Sequence, residues 1–183
     1  MSGPYKSLAD IPQFTRDGQY RVNVSWRFME DTLEQFREPD GLELDPDFQR
    51  GHVWTEEQQV RYVEFVLRGG RSGRTIYFNK SGWQRGGPGR GEPMVLVDGK
   101  QRLQAVRRFM RSEIRAFGSL LSEFNDRPDM IRHGFEFVVN DLQTRAEVLQ
   151  WYIDLNAGGV VHSDDEIDRV RALLEAESPV PTT

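Results

Sequence analysis

The stretch VLVDGKQRLQAVRRFM, Val95 to Met110, changes from a strand pattern to a helix pattern within a few residues. Its first three positions are apolar, as in a buried strand. Its later apolar residues recur at the three- and four-residue spacing of one helix face, at Leu103, Val106 and Met110. A strand that leads directly into a helix predicts a fold that mixes sheet and helices.

The same two patterns recur along the chain and predict the other elements. Strands are predicted over 20–26, 74–79, 92–98 and 135–142, with a shorter candidate over 113–118. Helices are predicted over 28–38, 55–67, 99–110, 144–156 and 163–177, with short ones around 120–124 and near 130. Thr55 with Gln58 and Ser163 with Glu166 have the spacing of capping boxes, and Thr144 is a further N-cap.

These elements predict one α+β domain over 20–177, with a small mixed sheet packed against helices. An irregular arm is predicted over 1–19 and a frayed tail over 178–183. The chain has no cysteine, which excludes disulfides, thiolate catalysis and cysteine-based metal sites. No window approaches the roughly 18 apolar residues of a membrane span, and the N-terminus lacks the apolar core of a signal peptide. We therefore expect a cytoplasmic protein without membrane contact.

Basic residues are concentrated in the middle of the chain. Residues 68–115 contain 12 basic and 3 acidic side chains, although the whole chain has a net charge of −5. Such a segment favours an anionic partner such as DNA, unless folding brings acidic segments over it and neutralises it. Both alternatives stay open. The candidate nucleic-acid contacts are Arg71, Arg74, Arg85, Arg90, Arg107, Arg108 and Arg111.

The strand–helix junction carries a cluster of polar groups. The start of a helix presents unpaired N–H groups and partial positive charge, so it suits an anion. Gly99 permits close approach of a ligand, Arg102 can donate to a phosphate, and Lys100 adds a charge. The carboxylate of Asp98 would repel an anion unless Mg²⁺ lay between them. The alternative is structural: Asp98 caps the helix and pairs with Arg102.

Two further segments contain candidate site residues. DPDFQRGHVW, 45–54, places Gln49 and Arg50 just before a capped helix, although Arg50 could equally pair with a neighbouring aspartate. LNAGGVVHS, 155–163, joins two predicted helices and contains Asn156, Gly158 and Gly159. Its simplest interpretation is a helix–turn–helix connection.

Taken together, three segments resemble the ParB/sulfiredoxin-like superfamily: DFQRGHVWTEEQQVRYVEFVLRGG, VDGKQRLQAVRRF and WYIDLNAGGVVHSDDEI. They are most similar to the domain of unknown function at the N-terminus of GmrSD-type restriction enzymes. The resemblance covers roughly residues 40–170. It implies a compact α+β fold in which the Asp-Gly-x-x-Arg turn faces the Gln-Arg segment across a pocket for nucleotide phosphates, with Mg²⁺ in several members.

Carried over to this sequence, the resemblance implies three catalytic residues, Asp98, Arg102 and Arg50, with Asp98 also as the Mg²⁺ ligand. It implies a nucleotide-binding set of Gln49, Arg50, Gly99, Lys100, Gln101, Arg102, Asn156, Gly158 and Gly159. Lys100 departs from the family pattern, which has glutamine there. The sequence also lacks the His-based nuclease domain of those enzymes, so a separate nuclease subunit is an expected partner.

The resulting hypothesis is a domain that binds and hydrolyses a nucleoside triphosphate in DNA-related processes such as restriction or phage–host conflict. Two alternatives stay open. One is a non-catalytic DNA-binding or adaptor module that uses the basic segment. The other is a small ParB-like nuclease.

Overall fold

The computed structural model describes residues 5–7, 11–49, 54–85, 92–128, 132–157 and 164–177. Within these ranges the chain forms four strands, β1 (Tyr20–Ser25), β2 (Thr75–Asn79), β3 (Val95–Asp98) and β4 (Gly134–Asn140). It also forms five α-helices, α1 (Met29–Asp40), α2 (Glu56–Leu67), α3 (Lys100–Met110), α4 (Arg145–Asn156) and α5 (Asp164–Glu177).

The four strands form one mixed sheet in the order β1-β4-β2-β3. β4 pairs antiparallel with β1 and parallel with β2, and β2 pairs antiparallel with β3. The predicted α+β class with a small mixed sheet is therefore confirmed. Because β3 is an edge strand, its last residue and the start of α3 lie at the border of the sheet, where a ligand can reach them.

Two apolar clusters hold helices against the sheet. The larger joins α1, α2 and α3 to one face and includes Trp26, Phe78, Leu103, Phe109 and Phe137, each at most 2% exposed. The smaller joins α4 and α5 to β3 through Val97, Leu149, Trp151, Tyr152 and Val170. Burying large aromatic side chains of this kind contributes roughly 1.5–3 kcal/mol each. α3 is thereby fixed between the sheet edge and α2.

Most local signals in the sequence correspond to the observed elements. The box of Thr55 with Gln58 starts α2, and Thr144 forms a full box with Glu147 at the start of α4. The predicted strand over 113–118 is wrong: only an isolated bridge between Ala116 and Ser119 forms there. Two further predictions, the helix near 130 and the Ser163 cap, fall on residues outside the described ranges.

The described part of the N-terminal arm is irregular but attached to the domain. Thr15 N donates to Asp154 Oδ2 at 2.7 Å, and Arg16 O accepts from Asn140 Nδ2 at 2.9 Å. Among the described helices, none is both long enough and apolar enough to span a membrane.

Candidate functional site

Asp98 reaches the surface near α3 because β3 contains an extra residue. Tyr77 pairs with Asp98, whereas the next residue of β2 pairs with Leu96, so Val97 is an unpaired residue between them. A β-bulge of this kind redirects the side chains beside it. Burial first, and then the carboxylates of Asp17 and Asp98, raises the pKa of the Tyr77 hydroxyl. Asp98 and Tyr77 therefore lie on the same side of the sheet.

Gly99 forms the turn from β3 into α3. Its φ is +104°, and a Cβ atom there would lie 2.5 Å from Ile76 Cδ1, so only glycine fits without a shift. No side chain forms an N-cap hydrogen bond at the start of α3. The first N–H groups of the helix thus lack side-chain acceptors within the described part of the chain. Together with the helix dipole they favour an anion at this position.

Arg102 is in the first turn of α3 and is held at two points. Its Nη1 donates to Thr75 O at 2.9 Å, and its Nη2 forms an ion pair with Asp98. The two side chains are only 17% and 21% exposed. The ion pair expected in the structural alternative is therefore present. These contacts use two of the five N–H donors of a guanidinium, so donors remain for a ligand.

Two aromatic side chains enclose the first turn of α3 on one side. Trp54 N donates to Gln101 Oε1 at 3.0 Å, and the Trp54 and Tyr62 rings have centroids 5.5 Å apart. The Tyr62 hydroxyl donates to Gly73 O at 2.7 Å. Burial raises the pKa of Tyr62 well above its usual range, against the opposing effect of Arg102. Tyr62 is therefore a neutral hydrogen-bond donor beside Arg102.

Gln49 packs against β3 and stabilises the backbone of that strand. Its Nε2 donates to the carbonyl oxygens of Leu96 and Val97, each at 2.6 Å, and its side chain is buried. The amide donors of Gln49 are thus used by the backbone of β3 rather than presented to a ligand. Arg50, predicted as a catalytic and nucleotide-binding residue, lies outside the described ranges.

The third motif approaches the same region through α4. The Tyr152 ring packs against Phe48 with centroids 5.5 Å apart, and Arg169 of α5 donates to Phe48 O at 2.9 Å. Asn156, one turn after Tyr152, donates to Tyr152 O at 2.6 Å. Gly158 and Gly159 lie outside the described ranges. The described parts of all three motifs therefore meet around β3.

Lys100 forms an ion pair with Asp45 and borders a cleft of about 430 Å³ along α3. Its lining is largely polar, with Gln104, Arg107, Arg108, Arg111 and Glu113, whereas Leu44 is partly exposed and Leu96 and Leu103 are buried at its base. Its volume is within the usual range of small-ligand sites, about 300–1,000 Å³. Lys100 belongs to the first turn of α3, and the rest of the α3 lining, from Leu103 to Arg111, lies further along the helix.

Asp98 is the residue that the resemblance assigns to Mg²⁺. Among the described residues, no group of three or more His, Cys, Asp or Glu is placed to hold a metal ion. Mg²⁺ is often held by one or two carboxylates together with phosphate oxygens of the substrate. Asp98 fits that chemistry only as part of a ternary complex with a nucleotide.

Most arginines of the basic segment already have partners inside the protein. Arg107 donates to both carboxylate oxygens of Glu30 at 2.6 and 3.0 Å, and Arg108 pairs with Glu56 at 2.9 Å. These contacts support neutralisation by folding, the alternative to a DNA-binding face. Two of the other candidates also have partners: Arg111 lies 3.5 Å from Glu30, and Arg74 donates to the carbonyl oxygens of Val66 and Arg132. Arg71 is exposed. The Arg85 side chain and Arg90 lie outside the described part of the chain.

Three neighbours of the site were not predicted from the sequence: Tyr62, Thr75 and Asp45. Tyr62 occupies a helix position where an aromatic residue usually indicates core packing. Thr75 contributes a backbone carbonyl, which no residue-type pattern identifies. Asp45 is part of the DPDFQRG segment, and its own carboxylate, rather than its neighbours, contacts the first turn of α3.

No family model, no curated protein and no solved structure matches this chain.

Proposed function

We propose that this chain is a ParB-like domain that binds a nucleoside triphosphate in DNA-related processes. The phosphates would lie at the first turn of α3. One observation carries the proposal: the described parts of three motifs far apart in sequence meet around β3, the strand that leads into this turn. A shared position explains why these residues occur together better than three unrelated structural roles do.

The phosphate part of the proposal rests on the uncapped helix start and on Arg102. Backbone N–H groups and the helix dipole attract phosphate without any rearrangement. Arg102 adds a charged donor whose position is fixed by Thr75 O and Asp98. Gly99 lets the chain turn tightly into α3 beside Ile76, which places the first N–H groups of the helix at the end of β3.

The base would lie in the cleft along α3. Leu44 would offer its partly exposed side chain to the base, and Lys100 at the border of the cleft would contact the phosphates or the ribose. Lys100 is the position at which this sequence differs from the family pattern, and a lysine here supplies a positive charge that the family's glutamine does not. In that position Lys100 would exchange its contact with Asp45 for one with the ligand.

Replacing Asp98 by asparagine tests how the carboxylate acts. The proposal predicts that the substitution changes nucleotide affinity in opposite directions without and with Mg²⁺. Without Mg²⁺, Asp98→Asn removes a negative charge beside the phosphates and releases Arg102, so nucleotide binding should tighten several-fold. With Mg²⁺, the wild type should gain affinity through Asp98, whereas the variant should gain little. Calorimetric titration of ATP, GTP, CTP and UTP in Mg²⁺ and in EDTA measures both effects.

Glu57→Gln is the matched control because Glu57 also pairs with an arginine four residues along, Arg61, but on the surface of α2. It should leave both affinities unchanged. Absence of nucleotide binding to the wild type would contradict the proposal. A Mg²⁺ gain that persists in Asp98→Asn would reject Asp98 as the metal ligand while leaving phosphate binding intact.

Hydrolysis is the further step that the resemblance implies, with Arg50 and Arg102 stabilising charge in the transition state. Phosphate release during the same titrations measures it. A water molecule attacks the terminal phosphorus, and the bond to the nucleoside diphosphate breaks, which gives the diphosphate and inorganic phosphate. Turnover without loss in Arg102→Ala would argue against this site as the catalytic one.

A further inference from the structure

A tight turn after α3 presents an aromatic residue in an unusual backbone conformation. Ala116 N donates to Ser119 O at 2.9 Å, and Ser119 N donates to Ala116 O at 3.0 Å. The two residues between them, Phe117 and Gly118, have φ values of 51° and 81°. Positive φ at both central positions is typical of a type I′ turn, which favours Asn and Gly. Phenylalanine at the first position is strained.

Burial does not offset this strain, because the Phe117 ring is 46% exposed. Instead, neighbouring groups hold the turn with the ring at the surface. Phe117 N donates to Glu64 Oε1 at 2.7 Å, and the Arg68 guanidinium lies 5.0 Å from the ring centroid. Strained residues that the surrounding structure holds in place are concentrated at functional sites.

A second exposed phenylalanine lies at the same end of α2. Phe65 is 43% exposed, and its ring covers Gly70, where a Cβ atom would come within 2.4 Å of Phe65 Cε1. The next residue, Arg71, is exposed, and neither Arg68 nor Arg71 has an ion pair within the described part of the chain. We call Phe65, Arg68, Arg71 and Phe117 the α2-end surface.

We propose that the α2-end surface binds single-stranded nucleic acid, with bases stacked on Phe117 and Phe65 and backbone phosphates at Arg68 and Arg71. Exposed aromatic rings beside cations are the elements that single-strand-binding proteins combine. Every base has a flat face, so such stacking requires no particular sequence. The surface shares no residue with the proposed nucleotide site, and each can fail without the other.

Charge decides between this partner and a second copy of the chain. In a symmetric dimer through this surface, the arginines of both copies would approach one another, and like charges without partners destabilise an interface. The arginines of α3, by contrast, are already paired with carboxylates. Arg68 and Arg71, which have no ion pair within the described part of the chain, lie at the same end of α2 as the exposed rings, which favours a polyanion with aromatic groups.

Phe117→Asn separates the role of the ring from that of the turn. Asparagine suits the first position of a type I′ turn, so the variant should fold with a thermal midpoint at or near that of the wild type. It lacks the ring, so affinity for a fluorescein-labelled single-stranded 20-mer of DNA or RNA should fall about tenfold. Fluorescence anisotropy at low salt measures the affinity. Phe14→Asn, which removes a ring that is 69% exposed in the N-terminal arm, is the matched control.

The arginines are tested independently of the ring and of the turn. Arg68→Gln and Arg71→Gln should each weaken binding and reduce the salt dependence, by about 0.7 in the slope of log affinity against log salt. Three results would overturn the proposal. They are absence of single-strand binding by the wild type, unchanged affinity in Phe117→Asn and Arg68→Gln, and a dimer in sedimentation that Phe117→Asn dissociates.

Discussion

Replacing Lys80 by methionine should lower the free energy of unfolding by about 3–5 kcal/mol. Lys80 lies at the end of β2 with its side chain 3% exposed, and its Nζ is 3.7 Å from Asp40 Oδ1. It also donates to Glu92 O at 2.8 Å. Methionine has a similar shape but leaves the buried carboxylate without its cation. Chemical denaturation followed by circular dichroism measures the loss.

Two further variants show whether the charge pair causes this loss. Adding Asp40→Asn to Lys80→Met removes the buried charge that has lost the Lys80 ammonium and should recover part of the stability. Arg37→Met removes a cation that is half exposed on α1 and should change stability by less than about 0.5 kcal/mol. A loss below about 1 kcal/mol in Lys80→Met would mean that the pair is not important for the fold.

Replacing Arg102 by alanine should weaken nucleotide binding roughly 10- to 100-fold. Hydrogen bonds to charged groups contribute about 1.5–3 kcal/mol, and Arg102 is the one arginine in the first turn of α3. Lysine at this position keeps the charge but not the planar arrangement of donors, so Arg102→Lys should lie between alanine and the wild type. Calorimetric titration with Mg²⁺ and each nucleotide gives the three affinities.

Arg61→Ala controls for the loss of an arginine that pairs with a carboxylate four residues away. It should bind nucleotide like the wild type, because Arg61 is on the exposed surface of α2. Arg102→Ala also loses the contact with Thr75 O, so its unfolding midpoint must be measured in parallel. A folded Arg102→Ala protein with wild-type affinity would contradict the placement of the phosphates.

Local signals in the sequence sufficed for the elements that carry the site. The change of pattern after Val97 predicted both β3 and α3, and the capping box at Thr55 and the N-cap at Thr144 marked the starts of α2 and α4. These predictions succeed because each depends on residues within one or two turns of each other.

The wrong strand over 113–118 shows where local rules fail. The segment alternates like a strand, but Phe117 and Gly118 adopt positive φ and reverse the chain. A propensity rule places Asn or Gly at the first turn position and therefore does not predict a turn at Phe-Gly. Contacts with Glu64 of α2 and with Arg68, which directly follows α2, hold the turn, and these residues are about 50 positions away in sequence.

The detailed roles of site residues depended on long-range contacts and could not be predicted. Gln49 donates to the carbonyl oxygens of Leu96 and Val97, which are 47 and 48 residues later in the sequence. Only folding brings these residues together. The bulge at Val97 arises from the register of β3 against β2, which neither strand specifies alone. The residue types of the three motifs indicated which segments lie close together. The register of the sheet determines which of their side chains face the surface.

Nuclear magnetic resonance of ¹⁵N-labelled protein during titration with a nucleoside triphosphate and Mg²⁺ tests the central claim most directly. If the phosphates lie at the first turn of α3, the largest amide shifts should occur from Gly99 to Leu103, with smaller ones at residues lining the cleft. The amides of Phe65, Arg68 and Phe117 should not shift. No change at Gly99 to Leu103 at saturating nucleotide, or shifts confined to other parts of the chain, would contradict the account.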